Sequence, residues 1–275
     1  MNKFRIIRNT KYKNDYQDSK YSRHKAIYLL PNAFTTAALF CGFYAIIQAM
    51  NGMFDKAVTS IFMAMILDGL DGRVARMTRT QSSFGGQFDS LSDMVSFGVA
   101  PALLAYEYGL KYLGKWGWLI SFIYCAGAAL RLARFNTSIG IINKSFFQGI
   151  PSPAAAANIA GFIWLLMDKR EVIGFLHNHG INQTWLLCAI TLYIGLAMVS
   201  NIPFYSGKTI GFGNVPFSVV VLFLIVFAAV AVEPSVLLFA LFAVYALSGF
   251  IILIYYKLTG RGNPVKKKEA YTHTA

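Results

Sequence analysis

The stretch Asp68–Asp93, DGLDGRVARMTRTQSSFGGQFDSLSD, sets four carboxylates into chain that is otherwise apolar enough to cross a membrane. A carboxylate near bilayer depth costs roughly 2.5–3.5 kcal/mol on insertion scales, so Asp68, Asp71, Asp89 and Asp93 together require compensation. Residues three or four apart share a helix face. At about 100° per residue, Asp71, Ala75, Asp68, Gly72 and Arg76 fall in that order within roughly 140° of one helix. Gly85, Asp89 and Asp93 form an i, i+4, i+8 stripe on the next. Two facing helices with these stripes bring four like charges together, and bound cations make that tolerable.

The surrounding chain is 275 residues long, 56% hydrophobic and 13% charged, which is the composition of an integral membrane protein. Apolar runs close to the roughly 20 residues that a membrane helix needs occur at 27–50, 54–77, 84–109, 114–136, 152–168, 182–202, 214–232 and 235–258. The expected fold is therefore all-α: a polytopic integral membrane helix bundle of about eight transmembrane helices. It forms one membrane domain over 27–258, with a basic N-terminal tail at 1–26 and a basic C-terminal tail at 259–275. The N-terminal tail is too long and too charged for a signal peptide, and no small-residue cleavage site follows Met50. The first span is thus expected to be retained.

With eight spans both ends lie on one side. That side collects Lys3 to Lys25, Arg73, Arg76, Arg79, Arg131, Arg134, Lys144, Lys208, Lys257, Arg261 and Lys266 to Lys268, 20 of the 25 basic residues. The bias puts both termini and the aspartates at the cytosolic face. The net charge of +13 is explained by that bias and by attraction to anionic headgroups. No base-stacking module accompanies the basic tail, so no nucleic-acid partner is expected. Cys41, Cys125 and Cys188 each fall inside a span and are read as small packing residues. His177 and His179 share one outer loop without partners, a poor metal site.

Carboxylate oxygens suit hard ions such as Mg²⁺ or Mn²⁺, and two divalent cations match four aspartates in charge. Paired ions about 3.5–4 Å apart clamp phosphoryl groups during in-line displacement. The neighbours fit such a ligand. Gly72 and Ala75 remove bulk from the acidic face, Gly85 does the same on the next helix, and Ser82 and Ser83 offer hydroxyls at its start. Arg76 can fork two hydrogen bonds onto a diphosphate. Gly69 and the glycines of later spans are read as helix-packing positions. Pro31 breaks the start of the first span, and Asn32 points an amide into the cytosolic end of the bundle. Residues 137–151 form the longest inner connection, Pro151-Ser152-Pro153 ends it and starts a helix, and 203–213 is a glycine-rich turn.

Asp68-x-x-Asp71-Gly72-x-x-Ala75-Arg76, eight residues, then Gly85-x-x-x-Asp89-x-x-x-Asp93 matches every fixed position of the CDP-alcohol phosphatidyltransferase signature. The likeness extends over about residues 27–210. Leu30-Pro31-Asn32 with Thr35, Arg131-Leu132-Ala133-Arg134-Phe135-Asn136, Gly149 to Ala156 and Val199 to Pro203 resemble the phosphatidylserine synthase branch of that family. The resemblance implies metal ligation by Asp68, Asp71 and Asp89, with Asp71 and Asp89 bridging two ions, and Asp93 at the metal site as general base. It implies a nucleotide cradle of Gly72, Ala75, Arg76, Ser82 and Gly85, and a homodimer in a bacterial or archaeal-type cell membrane.

Its substrates would be CDP-diacylglycerol, whose chains enter from the membrane lipids, and L-serine, whose hydroxyl attacks directly and releases CMP. A free amino acid wants an arginine for its carboxylate. Arg131 and Arg134, i and i+3 at the inner end of the fourth span, are candidates for it or for a substrate phosphate. Asn32, Asn136 and Lys144 join them, with Lys208 behind. The alternatives keep the chemistry and change the acceptor to glycerol 3-phosphate, inositol phosphate or choline. A more distant one is a divalent-cation transporter, which would show repeated halves.

Overall fold

The structure, a computed structural model, describes residues 30–78, 80, 82–137, 146–205 and 217–259. Lys144, Lys208, Arg79 and both tails, apart from Thr259, lie outside the described residues. The chain is a helical membrane bundle: α1 Leu30–Met50, α2 Phe54–Thr78, α3 Ser83–Asp93, α4 Ala100–Tyr108, α5 Lys115–Thr137, α6 Ser152–Asp168, α7 Arg170–Asn178, α8 Gln183–Val199, α9 Phe217–Val232 and α10 Pro234–Leu258. Every one of the eight apolar runs carries helix, and α7 is an added short helix between α6 and α8.

Among the described residues, length and apolarity alone qualify three helices as membrane crossings, Leu30–Met50, Lys115–Thr137 and Pro234–Tyr256, and a fourth if α7 and α8, bent by 100°, form one broken span. The reasons lie in the sequence. α2 carries Asp55, Lys56, Asp68, Asp71, Arg73 and Arg76, while α6, α8 and α9 have 17, 17 and 16 residues.

At the centre stands α6, packed against α2, α4, α8 and α10. Its run Ala154–Ala157 is buried on all sides, because small side chains let neighbouring backbones close in where lipid offers no hydrophobic drive. The buried Asn158 amide is satisfied by the carbonyls of Ala154 (2.8 Å) and Phe242 of α10 (3.1 Å). α5 runs along α8 on the same principle, since a Cβ on Gly127 would lie 2.5 Å from the Gly195 carbonyl oxygen.

In α1, Pro31, Thr35, Ala38, Gly42, Ala45 and Ala49 form a buried stripe spaced by three and four residues. The stripe faces the third span: the Ser92 and Ser96 hydroxyls donate to the carbonyls of Thr35 (3.2 Å) and Ala38 (3.1 Å). A Cβ on Gly42 would come within 2.6 Å of Ser96 Cα. These contacts hold α1 over the acidic residues.

The third apolar run is not one regular helix. α3 passes through a π-helical segment, Met94–Val99, into α4. Pro101 has no N–H to give the Phe97 carbonyl four residues before it. The Tyr124 hydroxyl of α5 donates to that carbonyl instead, at 3.0 Å, from a fully buried side chain. Local π geometry next to a proline is a recognised way of absorbing such a gap.

The all-α bundle fits the expectation, and a small strand pair accompanies it. β1 (Phe146–Gln148) pairs antiparallel with β2 (Pro203–Tyr205), in the register Phe147 opposite Phe204. The described ends of the α5–α6 and α8–α9 connections meet here and satisfy one another's backbone groups, with Phe204 buried beneath them. Gly69 does depart from the packing role expected of it: it is exposed, and a Cβ there meets nothing within 4 Å among the described residues.

Candidate active site

α2 and α3 are joined by a short connection, and their acidic stripes converge. One carboxylate oxygen from each of Asp68, Asp71 and Asp89 lies within 4.8 Å of the others. Asp71 is buried, and its Oδ2 accepts the Thr35 hydroxyl at 2.6 Å. Asp68 lies within hydrogen-bonding reach of both Asp89 and Asp93. Asp93 is thus attached to the cluster through Asp68 and stands outside the three converging oxygens. The charge of Arg131, on α5, acts favourably on it.

Four carboxylates in such contact repel one another unless a proton or cation lies among them. Asp89 Oδ1 is buried with no hydrogen-bond donor among the described residues. An acceptor atom in that condition costs about 1–3 kcal/mol, and more when charged, unless an ion takes up its lone pair. Hard oxygen donors, their convergence and this orphaned atom all fit a divalent cation.

Beside the acids opens a cleft of about 270 Å³. Asp71 and Asp89 form its acidic wall, with Thr35 beside them, and Gly72, Ala75, Arg76, Ser82, Gly85 and Asn32 line much of the rest. The sequence-predicted cradle residues therefore share one cavity. Arg76 lies across Gly72, where a Cβ would come 3.6 Å from Nη1. A Cβ on Gly85 would come 3.1 Å from Ser82 Oγ and 3.6 Å from Asn32 Oδ1. Ser82 also caps α3, its Oγ accepting Gly85 N–H at 3.0 Å.

The remaining candidates separate. Arg131 donates to Ser152 Oγ at 2.6 Å, and its charge interacts with that of Asp93. Arg134 is spent on backbone carbonyls of α8 and β1. The Asn136 amide exchanges hydrogen bonds with Ser90 of α3 (3.0 Å), next to Asp89. Thr35, Thr80, Gly86 and Pro31 complete the cleft. Of these, Thr35 has the most direct part, and a hydroxyl four residues after Pro31 on an otherwise apolar face was its signal.

A helical membrane bundle with an acidic cluster opening into a glycine-lined cleft defines the class. Residues 28–197 match the family model described as CDP-alcohol phosphatidyltransferase, and the chain belongs to that family. The chain is 38% identical to the CDP-diacylglycerol–serine O-phosphatidyltransferase of Helicobacter pylori (strain ATCC 700392 / 26695) over 225 residues, 82% of this chain and 91% of the relative. The protein of that name from Mycobacterium leprae is 33% identical over 79% of this chain and 72% of its own. That of Methanocaldococcus jannaschii is 38% identical over 59% and 71%.

Proposed function

We propose that this enzyme transfers the phosphatidyl group of CDP-diacylglycerol to the hydroxyl of L-serine, giving phosphatidylserine and CMP. The observation that carries this reading is the convergence of the Asp68, Asp71 and Asp89 oxygens, with Asp71 and Asp89 also lining the Gly72–Ala75–Gly85 cleft. The names of its relatives supply the acceptor.

In this reading Asp68, Asp71, Asp89 and Asp93 hold two divalent cations, Mg²⁺ or Mn²⁺. When bound, these ions neutralise the diphosphate and the charge that develops on departing CMP. The chain's own residues do the rest. Gly72, Ala75 and Gly85 let the nucleotide approach the backbone, while Arg76 and Ser82 hydrogen-bond to it. Arg131 takes the acceptor carboxylate, a role supported by its charge interaction with Asp93, and the serine hydroxyl then lies within reach of the Asp93 carboxylate. Asp93 accepts the hydroxyl proton as serine oxygen bonds to the phosphorus bearing diacylglycerol, and the bond from that phosphorus to CMP breaks. Asn32, Asn136 and Lys144 are secondary candidates for phosphate contact.

We further read the bundle as eight spans with both termini and the site cytosolic, since the basic residues gather at that end. A homodimer in the cell membrane of a bacterium or archaeon is what the family likeness implies. The test is purified protein incubated with CDP-diacylglycerol, a divalent ion and each candidate alcohol. The expected result is CMP and phosphatidylserine with serine only, abolished by chelator and by Asp93→Asn. Turnover with glycerol 3-phosphate, inositol phosphate or choline in place of serine would overturn the acceptor assignment.

A further inference from the structure

Arg131 and Arg134 stand nearly one turn apart on α5, and the sequence gives them equal claim on a substrate. Their surroundings do not. Arg134 Nη1 donates to the Val199 carbonyl (3.0 Å) and to Asn201 Oδ1 (3.2 Å). Its Nη2 donates to the carbonyls of Gln148 (2.9 Å), Met198 (3.2 Å) and Ser200 (3.3 Å). Met198, Val199 and Ser200 close α8, where carbonyls lack intrahelical donors and the negative end of the helix dipole collects. Gln148 belongs to β1. One planar fork therefore ties the end of a helix to a strand from another connection, which a lysine's point charge cannot do.

Beyond Gln148 the chain runs straight to the site. Gly149 sits at φ +75°, and a Cβ there would come 2.9 Å from the Ala197 carbonyl oxygen. Ile150 N–H donates to that same carbonyl at 3.3 Å. The backbone is thereby pressed onto the end of α8 and delivers Ser152, fully buried, to Arg131 Nη1 at 2.6 Å. Arg131 is also near enough to Asp93 for their charges to act on one another.

We propose that Arg134 is a positioning residue for the acceptor subsite: by fastening β1 to the end of α8 it fixes Ser152, and through Ser152 it aims Arg131 at the space beside Asp93. The acceptor carboxylate binds there, so this inference rests on the serine reading above. Arg134 itself touches no substrate.

The experiment is a double-mutant cycle on full-length protein in detergent, with Arg134→Lys, Ser152→Ala and both together. The readouts are KM for serine, KM for CDP-diacylglycerol, kcat, and the shift in melting temperature on adding serine. Loss of a hydrogen bond to a charged group predicts a serine KM about tenfold higher in each single variant. The KM for CDP-diacylglycerol and kcat stay near wild type, and the serine-induced melting shift shrinks. In the double variant the serine KM matches the worse single one, because both changes cut one linkage. Multiplying effects, or equal changes in both KM values, would overturn the proposal. If Arg134→Lys does not fold, Ser152→Ala decides alone, and an unchanged serine KM overturns it. Wild-type protein that forms no CMP with serine would overturn the serine reading and this inference together, whereas active wild type with multiplying variants removes only the linkage.

Discussion

Removing the Thr35 hydroxyl should loosen the metal site without touching a ligand. Thr35 Oγ1 lies 2.6 Å from Asp71 Oδ2 and 3.1 Å from the Pro31 carbonyl. A hydroxyl has one proton, and the shorter distance is that of a charge-assisted bond to a carboxylate. Such a bond contributes about 1.5–3 kcal/mol, which converts to a factor of roughly 10–150 in affinity. Partners that orient metal ligands typically contribute about 10–100-fold, the same range reached independently. Thr35→Val keeps the β-branched shape, so the buried stripe of α1 survives. The variant should bind Mn²⁺ about 10–100-fold more weakly, read as free-ion signal in electron paramagnetic resonance, and should need correspondingly more metal for half-maximal turnover. Thr35→Ser, which keeps the hydroxyl, should bind close to wild type. A folded Thr35→Val protein with wild-type Mn²⁺ affinity would refute the placement of Asp71 in a metal site oriented by α1.

The packing makes three further outcomes checkable. Gly85→Ala puts a methyl 3.1 Å from Ser82 Oγ in the cleft wall, and KM for the nucleotide-bearing lipid should rise on the order of tenfold with little change in melting temperature. Gly127→Ala drives a methyl to 2.5 Å from the Gly195 carbonyl oxygen; overpacking of that kind costs about 1–3 kcal/mol, measurable as a lowered thermal midpoint in detergent. Tyr124→Phe leaves the Phe97 carbonyl without the donor it has at 3.0 Å, a loss of about 1–3 kcal/mol of stability, while turnover of the folded fraction should persist.

The acidic cluster was legible because helical spacing is local. Asp68 and Asp71, and Asp89 and Asp93, are fixed on their faces by three- and four-residue intervals, and only their mutual approach had to be supplied by the fold. Helix positions were legible for a similar reason, since apolar runs announce themselves. The strand pair was not. β1 and β2 are three residues each, and the partners Gln148 and Pro203 come from two distant connections, neither of which carries a local pattern that encodes the pairing.

Nor could the sequence tell Arg131 from Arg134. Their difference lies in what α6 and α8 present to them, Ser152 in one case and a row of carbonyls in the other. The π-helical turn was hidden for a related reason. Pro101 marks where a donor is missing, but the hydroxyl that replaces it comes from Tyr124 on another helix.

Sharing of divalent ions by the carboxylates of α2 and α3 is the central claim, and anomalous scattering from Mn²⁺ in crystals of the protein locates such ions directly. Anomalous peaks are expected between the two helices, about 2.0–2.2 Å from oxygens of Asp68, Asp71 and Asp89, and lost on Asp89→Asn. Peaks elsewhere in the molecule, or a cluster that stays empty at saturating Mn²⁺ with the nucleotide bound, would contradict it.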